Sequence, residues 1–205
     1  MSKNTMPLHK EAWIEELAIK IFNEIEVLTK DKVGVSRESY GKGETISINY
    51  MIDLAKEFGF YIEKDAAANV YLSLEQSIKN NHILIGSHID SVPQGGNFDG
   101  LAGVIAGFLI LVYLKEKKVK TSLPIKLLVL RGEESAWYGK NCIGSKALFG
   151  LISQEDLNSI HRSNGKKLSK AMIESGVKLD QIIKCKTLIN KNEVEAFIEI
   201  HIEQG

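Results

Sequence analysis

An apolar run, His82-Ile83-Leu84-Ile85, leads into Gly86-Ser87-His88-Ile89-Asp90-Ser91-Val92-Pro93-Gln94-Gly95-Gly96-Asn97-Phe98-Asp99-Gly100, and a second apolar run follows from Leu101 to Leu114. The first run has the length of a buried strand and the second that of a buried helix. A chain with this order of elements places a histidine where a strand ends and a carboxylate, eleven residues on, where the next helix begins. In α/β sheets that edge, outside the carboxyl ends of the strands, is where ligands bind.

The same rhythm runs through the rest of the chain. Trp13, Leu17, Ile21 and Ile25 recur at steps of four, which predicts a helix from about residue 8 to 28. A second helix is expected from Ile46 to Phe58, with Gly59 as its stop signal. Strands are expected at Asn69–Leu74, His82–Ser87, Ile125–Leu130 and Glu195–Ile202, and short helices at Lys146–Leu151 and Lys167–Glu174. Strands alternating with helices imply an α/β fold, a mostly parallel sheet with helices on both faces. The 205 residues are enough for one sizeable core or two small ones, and no repeat, low-complexity segment or interdomain linker is visible.

Composition narrows the function classes. The 26 basic and 26 acidic side chains cancel, so no nucleic-acid footprint is expected. The Leu101–Leu114 run is too short for a membrane span and opens with Ala and Gly. No secretory signal is apparent. The two cysteines, Cys142 and Cys185, form no framework and read as buried or idle thiols of a reducing compartment. A cytoplasmic protein is the resulting expectation.

Four residues then stand out. His88, Asp99, Glu134 and His201 are the types that hold zinc-like ions, with manganese and cobalt as alternatives, and three of them follow apolar strands closely. Asp99 has two oxygens and can bridge a pair of ions. Glu133, beside Glu134 on a loop past a strand end, is the candidate general base. Asp90, two residues after His88, is placed to accept the other imidazole N–H and fix the tautomer. His9, His82 and His161 lack this context and read as surface or core histidines, and Trp13 and Phe58 as core.

Three segments carry a resemblance to a known family: GSHIDSVPQGGNFDG, RGEESAWYGKNCIGSKALFG and the terminal IEIHIEQG. The chain resembles the hydantoinase/carbamoylase-type amidases, N-carbamoyl-L-amino-acid hydrolases and allantoate amidohydrolases among them, within the aminoacylase-like co-catalytic zinc hydrolases. Weaker agreement runs through Asp65-Ala66-Ala67-Ala68-Asn69-Val70 and Asn164-Gly165-Lys166-Lys167-Leu168. The resemblance implies two divalent ions, one on His88, Asp99 and His201, the other on Glu134 and the shared Asp99. It implies Glu133 as base, Asp90 as support for His88, and Gln204 at the substrate. The implied reaction is hydrolysis of a non-peptide C–N bond in a carbamoyl amino acid or related ureido compound. An ordinary amide, as for an aminoacylase or peptidase, is the neighbouring alternative; His201 and Gln204-Gly205 speak against it.

Two departures are visible. Trp137-Tyr138 stands where the family commonly has an arginine and a phenylalanine. Family members are also about twice as long, with a lid and dimerisation domain inserted after the His-Ile-Glu-Gln-Gly segment and a returning part of the catalytic domain that brings a last histidine ligand. Residues 1–205 then correspond to the N-terminal part of the catalytic domain. For these residues alone the competing expectation is a partial metal site without useful turnover, and a homodimer is expected of the longer protein.

Overall fold

The computed structural model describes residues 11–76, 81–184 and 186–203. In chain order these form α1 (Ala12–Thr29), α2 (Lys42–Glu57), β1 (Tyr61–Lys64), β2 (Val70–Ser73), β3 (His82–His88), α3 (Leu101–Glu116), β4 (Ile125–Leu130), α4 (Ile143–Leu148), α5 (Gln154–Leu157), α6 (Leu168–Glu174), α7 (Leu179–Ile182) and β5 (Val194–Ile198). One five-stranded sheet runs in the order β1-β2-β4-β3-β5. The expected α/β architecture holds, but the sheet is mixed. β3 pairs in parallel with both β4 and β5, whereas β1–β2 and β2–β4 are antiparallel.

The three parallel strands are the ones that matter for the site. Being parallel, they bring the residues after His88, Leu130 and Ile198 to one edge of the sheet. Side chains alternate along each strand. Ile85, Leu127 and Val129 pack with α1, α2 and α3 on one face, and Leu84 and Leu128 meet Leu148 of α4 on the other. Helix α3 carries apolar side chains all round because it lies in the main core, with Leu101, Val104, Phe108, Leu111 and Val112 buried. A second cluster joins Trp137, Tyr138, Ile143 and Leu168 with the short helices α4 to α7. Among the described residues no helix is long and apolar enough to cross a membrane.

The expected elements recur with shifted ends, and two details differ in kind. Strand β1, the short helices α5 and α7 and the antiparallel pairs were not expected. The last strand stops at Ile198 rather than Ile202, so His201 lies on an extended segment beyond the ladder. Trp13 and Phe58 pack against the main core as expected. His82 is buried at the amino-terminal end of β3, remote from the strand ends just described, and His161 is buried in the second layer. His9, Cys185 and Gln204 lie outside the described residues.

Candidate metal centre

His88 is the last residue of β3 and almost wholly buried. Its Nδ1 lies 3.1 Å from the Asp90 carbonyl oxygen and 3.3 Å from Asp90 Oδ1. The ring is thereby turned so that Nε2 faces outward, 3.3 Å from Nε2 of His201 and 3.8 Å from Oδ1 of Asp99. His201 Nε2 is 3.2 Å from the same Asp99 oxygen. Gly100, the N-cap of α3, makes room for this: at φ +62° it sits against His88, and a Cβ there would lie 2.4 Å from the imidazole. Only glycine combines that backbone conformation with that approach.

On the other side stand the two glutamates. β4 ends at Leu130, and the loop beyond it is held from beneath by Glu44 of α2. The Glu44 carboxylate accepts from Gly132 N at 2.8 Å and from Arg131 Nε at 2.7 Å. The backbone N–H groups of Glu133 and Glu134 both donate to Asp90, at 3.0 Å each. One buried carboxylate thus orients His88 and both glutamates, and Ser39 Oγ adds a fourth donor to it at 2.5 Å. Ligand atoms of His88, Asp99 and His201 lie within 4.8 Å of one another, as do those of His88, Glu133 and Glu134. The residues singled out from sequence, Gln204 apart, therefore converge on one place.

The electrostatics of this place are those of an acid excess. Burial opposes a charge on His88, but the hydrogen bond and charge of Asp90, with Glu133 and Glu134 behind it, push the imidazole up to about 9. Burial, together with the carboxylates of Asp99 and Asp90, raises Glu134 to about 7. Asp90 is held below the usual carboxylate range despite burial, because His88 and Ser39 bond to its charged form. Glu134 Oε1 is buried without a hydrogen-bond partner. A buried carboxylate oxygen is costly unless something meets it. Two imidazole nitrogens facing each other beside it, with Asp99 between, are a donor set suited to a divalent cation of the zinc type, and the residues present fit such an ion.

Several contributing residues were not anticipated. Arg37 is fully buried. It donates to Ile89 O at 2.6 Å and to Asn97 Oδ1 at 2.9 Å, tying together the two ends of the loop that carries Asp90 and Asp99. Burial lowers its pKa to about 10, which leaves it cationic beside the acid cluster. Cys142, expected to be idle, donates its thiol to Glu133 Oε1 at 3.4 Å, and burial first, then Glu133, keeps that thiol protonated by raising its pKa. The unexplained Trp137-Tyr138 pair is buried: the Trp137 indole donates to Ser91 O at 2.7 Å and stacks on His161. These partners are 9 to 60 positions away, so no local pattern announces them.

The sequence profile of Peptidase family M28 matches residues 69–184. An N-carbamoyl-L-amino acid amidohydrolase of Geobacillus stearothermophilus is 33% identical over 181 residues, which cover 88% of this chain and 44% of that protein. An allantoate amidohydrolase of Escherichia coli is 33% identical over 123 residues, 60% of this chain and 29% of its own length. A solved hydantoinase/carbamoylase family amidase from Burkholderia ambifaria superposes with a TM-score of 0.78 at 23% identity, covering 93% of this chain and 46% of that one; that likeness bears on the fold. The chain spans less than half the length of these relatives.

Proposed function

Because the chain belongs to Peptidase family M28, we propose that it forms the metal-binding half of a hydrolase cleaving ureido C–N bonds in N-carbamoyl-L-amino acids or allantoate-like compounds. The observation that carries this reading is the convergence of Asp99, Glu133, Glu134 and His201 on His88, with Asp90 holding His88 and the two glutamates in place. The names of relatives that match most of the chain, N-carbamoyl-amino-acid amidohydrolases, favour the ureido group over an ordinary amide. The family's own designation as peptidases keeps amide hydrolysis as the second reading.

In this reading His88, Asp99 and His201 hold one divalent ion, zinc before manganese or cobalt, and Asp99 and Glu134 hold a second. Such ions acidify water and polarise a carbonyl oxygen when bound. The chain's own residues do the rest. Asp90 fixes the His88 tautomer by accepting at Nδ1, leaving Nε2 free to ligate. Glu133 accepts the proton of the attacking water as oxygen adds to the carbamoyl carbon. It then delivers that proton to the nitrogen that leaves with the C–N bonding pair. The Cys142 thiol on Oε1 directs which carboxylate oxygen faces the reactants.

Three measurements test this. The purified chain should take up a transition ion and lose it on His88→Ala. N-carbamoyl-L-amino acid, N-acyl-amino acid and dipeptide substrates assayed side by side separate the two readings. Glu133→Gln should keep the ion and lower any turnover by roughly 10²- to 10⁴-fold, the usual worth of a general base. A chain that binds no ion, or a Glu133→Gln variant as active as the original, would defeat the proposal.

A further inference from the structure

His201 reaches the centre without help from strand pairing. The β3–β5 ladder ends where Ile85 faces Ile198, and the segment from Glu199 to Glu203 is exposed and outside any strand. Yet its imidazole sits within 3.3 Å of His88 Nε2. Two contacts account for the placement. The Ser87 hydroxyl, fully buried, donates to Glu199 Oε1 at 2.5 Å. Gly103, in the first turn of α3, lies against the Ile200 backbone: a Cβ there would be 2.3 Å from Ile200 O and 2.7 Å from Ser87 Cβ.

These contacts flank His201 on its amino-terminal side and come from the elements that present the other ligands. Ser87 precedes His88 on β3, so its side chain points to the opposite face from the imidazole. Gly103 follows Asp99 and Gly100 into α3. A hydroxyl donating to a carboxylate is a charge-assisted bond, stronger than a neutral one, and a close backbone approach on glycine leaves no slack beneath Ile200. We infer that Ser87, Glu199 and Gly103 form a clamp that positions His201 as a ligand. The clamp sets how tightly the His88–Asp99–His201 ion is held. This rests on the metal reading of the site above, which it deepens.

The test uses the 205-residue chain with cobalt(II) as probe, its affinity measured by chelator competition and its coordination by the visible absorption bands. Partners that orient a ligand without touching the metal are worth about 10- to 100-fold in metal affinity. Ser87→Ala and Glu199→Ala should each weaken cobalt by about that factor and alter the absorption bands. Glu199→Gln, which keeps an acceptor oxygen, should lose less. The discriminating arm is the double variant: Ser87→Ala should cost nothing further once His201→Ala has removed the ligand, whereas general damage to the fold would add. Because Glu199 is exposed, Glu199→Ala carries the test even if Ser87→Ala folds poorly. The clamp is refuted if Ser87→Ala and Glu199→Ala bind cobalt like the original chain while His201→Ala does not, or if the penalties add in the double variant. Failure of the unaltered chain to bind cobalt would remove the metal reading and the clamp together.

Discussion

Asp90 is the side chain on which the site hangs. It is fully buried and answers His88, Ser39 and the backbone N–H groups of Glu133 and Glu134. Asparagine at this position offers one acceptor oxygen in place of two and turns an N–H₂ toward groups that donate. Asp90→Asn is therefore expected to weaken divalent-ion binding about 10- to 100-fold, read by competition with a chelator; unchanged affinity would show that the ligands orient themselves. Glu44 plays the matching part under the β4 loop. Its carboxylate and the Arg131 guanidinium are both buried, 2.6 Å apart, and Tyr40 N adds a further donor at 2.8 Å. Glu44→Gln leaves the Arg131 charge uncompensated in the interior, a change that costs about 3–5 kcal/mol. Urea unfolding should register that loss, and a loss under about 1 kcal/mol would mean that Arg131 finds solvent or another partner.

At the level of elements, what could be read from the chain was what its residues enforce locally. The long apolar helix α3 and strands β3 and β4 declare themselves, because a buried element must be apolar throughout. His88 and the Glu133-Glu134 pair could be placed because they follow those strands directly. β1 could not: Tyr61-Ile62-Glu63-Lys64 is a largely exposed edge strand without clear alternation, held by its pairing with β2. The antiparallel pairs were hidden for a different reason: pairing direction is set by connections and not by strand composition. His201 was expected at the very end of a strand because apolar residues continue through Ile200 and Ile202, yet these are half-exposed beyond the ladder. Helix α5 is only one turn long and depends on its cap. Ser153 and Asp156 bond reciprocally, Asp156 N donating to Ser153 Oγ at 3.0 Å and Ser153 N to Asp156 Oδ2 at 2.9 Å. Burial works against the charged carboxyl, but the Ser153 bonds and the nearby Lys146 and Lys140 hold it below its usual range. A depressed carboxylate stabilises the fold above its unfolded pKa, near 3.9, and that contribution disappears as pH falls through the folded value. Asp156→Asn should thus cost roughly 0.3–1 kcal/mol at neutral pH, with the gap to the original chain narrowing below about pH 4. Denaturant titrations at pH 7 and pH 3 decide it, and a gap independent of pH would sink the charge argument.

Across the whole molecule, the centre is where three separately built parts meet. β3 brings His88, the loop after β4 brings the glutamates, and the segment after β5 brings His201, while α3 opens beside Asp99. The last of these parts is the least secured by the fold. Among the described residues β5 is an edge strand bonded only to β3, and Phe197, Ile198 and Ile200 are each more than 40% exposed. A cation ligated by His88, Asp99 and His201 would therefore cross-link an edge segment to the centre of the sheet. Any ion that binds the folded chain and not the unfolded one stabilises it by mass action, by about 2.7 kcal/mol at a concentration 100 times its dissociation constant. For a chain of this size that corresponds to a rise in Tm of roughly 5–10 °C. The rise should appear with zinc, manganese or cobalt, vanish on adding a chelator, and shrink in His201→Ala, because that variant can no longer tie the β5 side to β3. Protection of the Glu199–Glu203 amides from hydrogen exchange should increase in parallel. A Tm indifferent to all three ions would mean that these imidazoles and carboxylates converge without holding a metal, and the cross-linking role of the centre would fall with it.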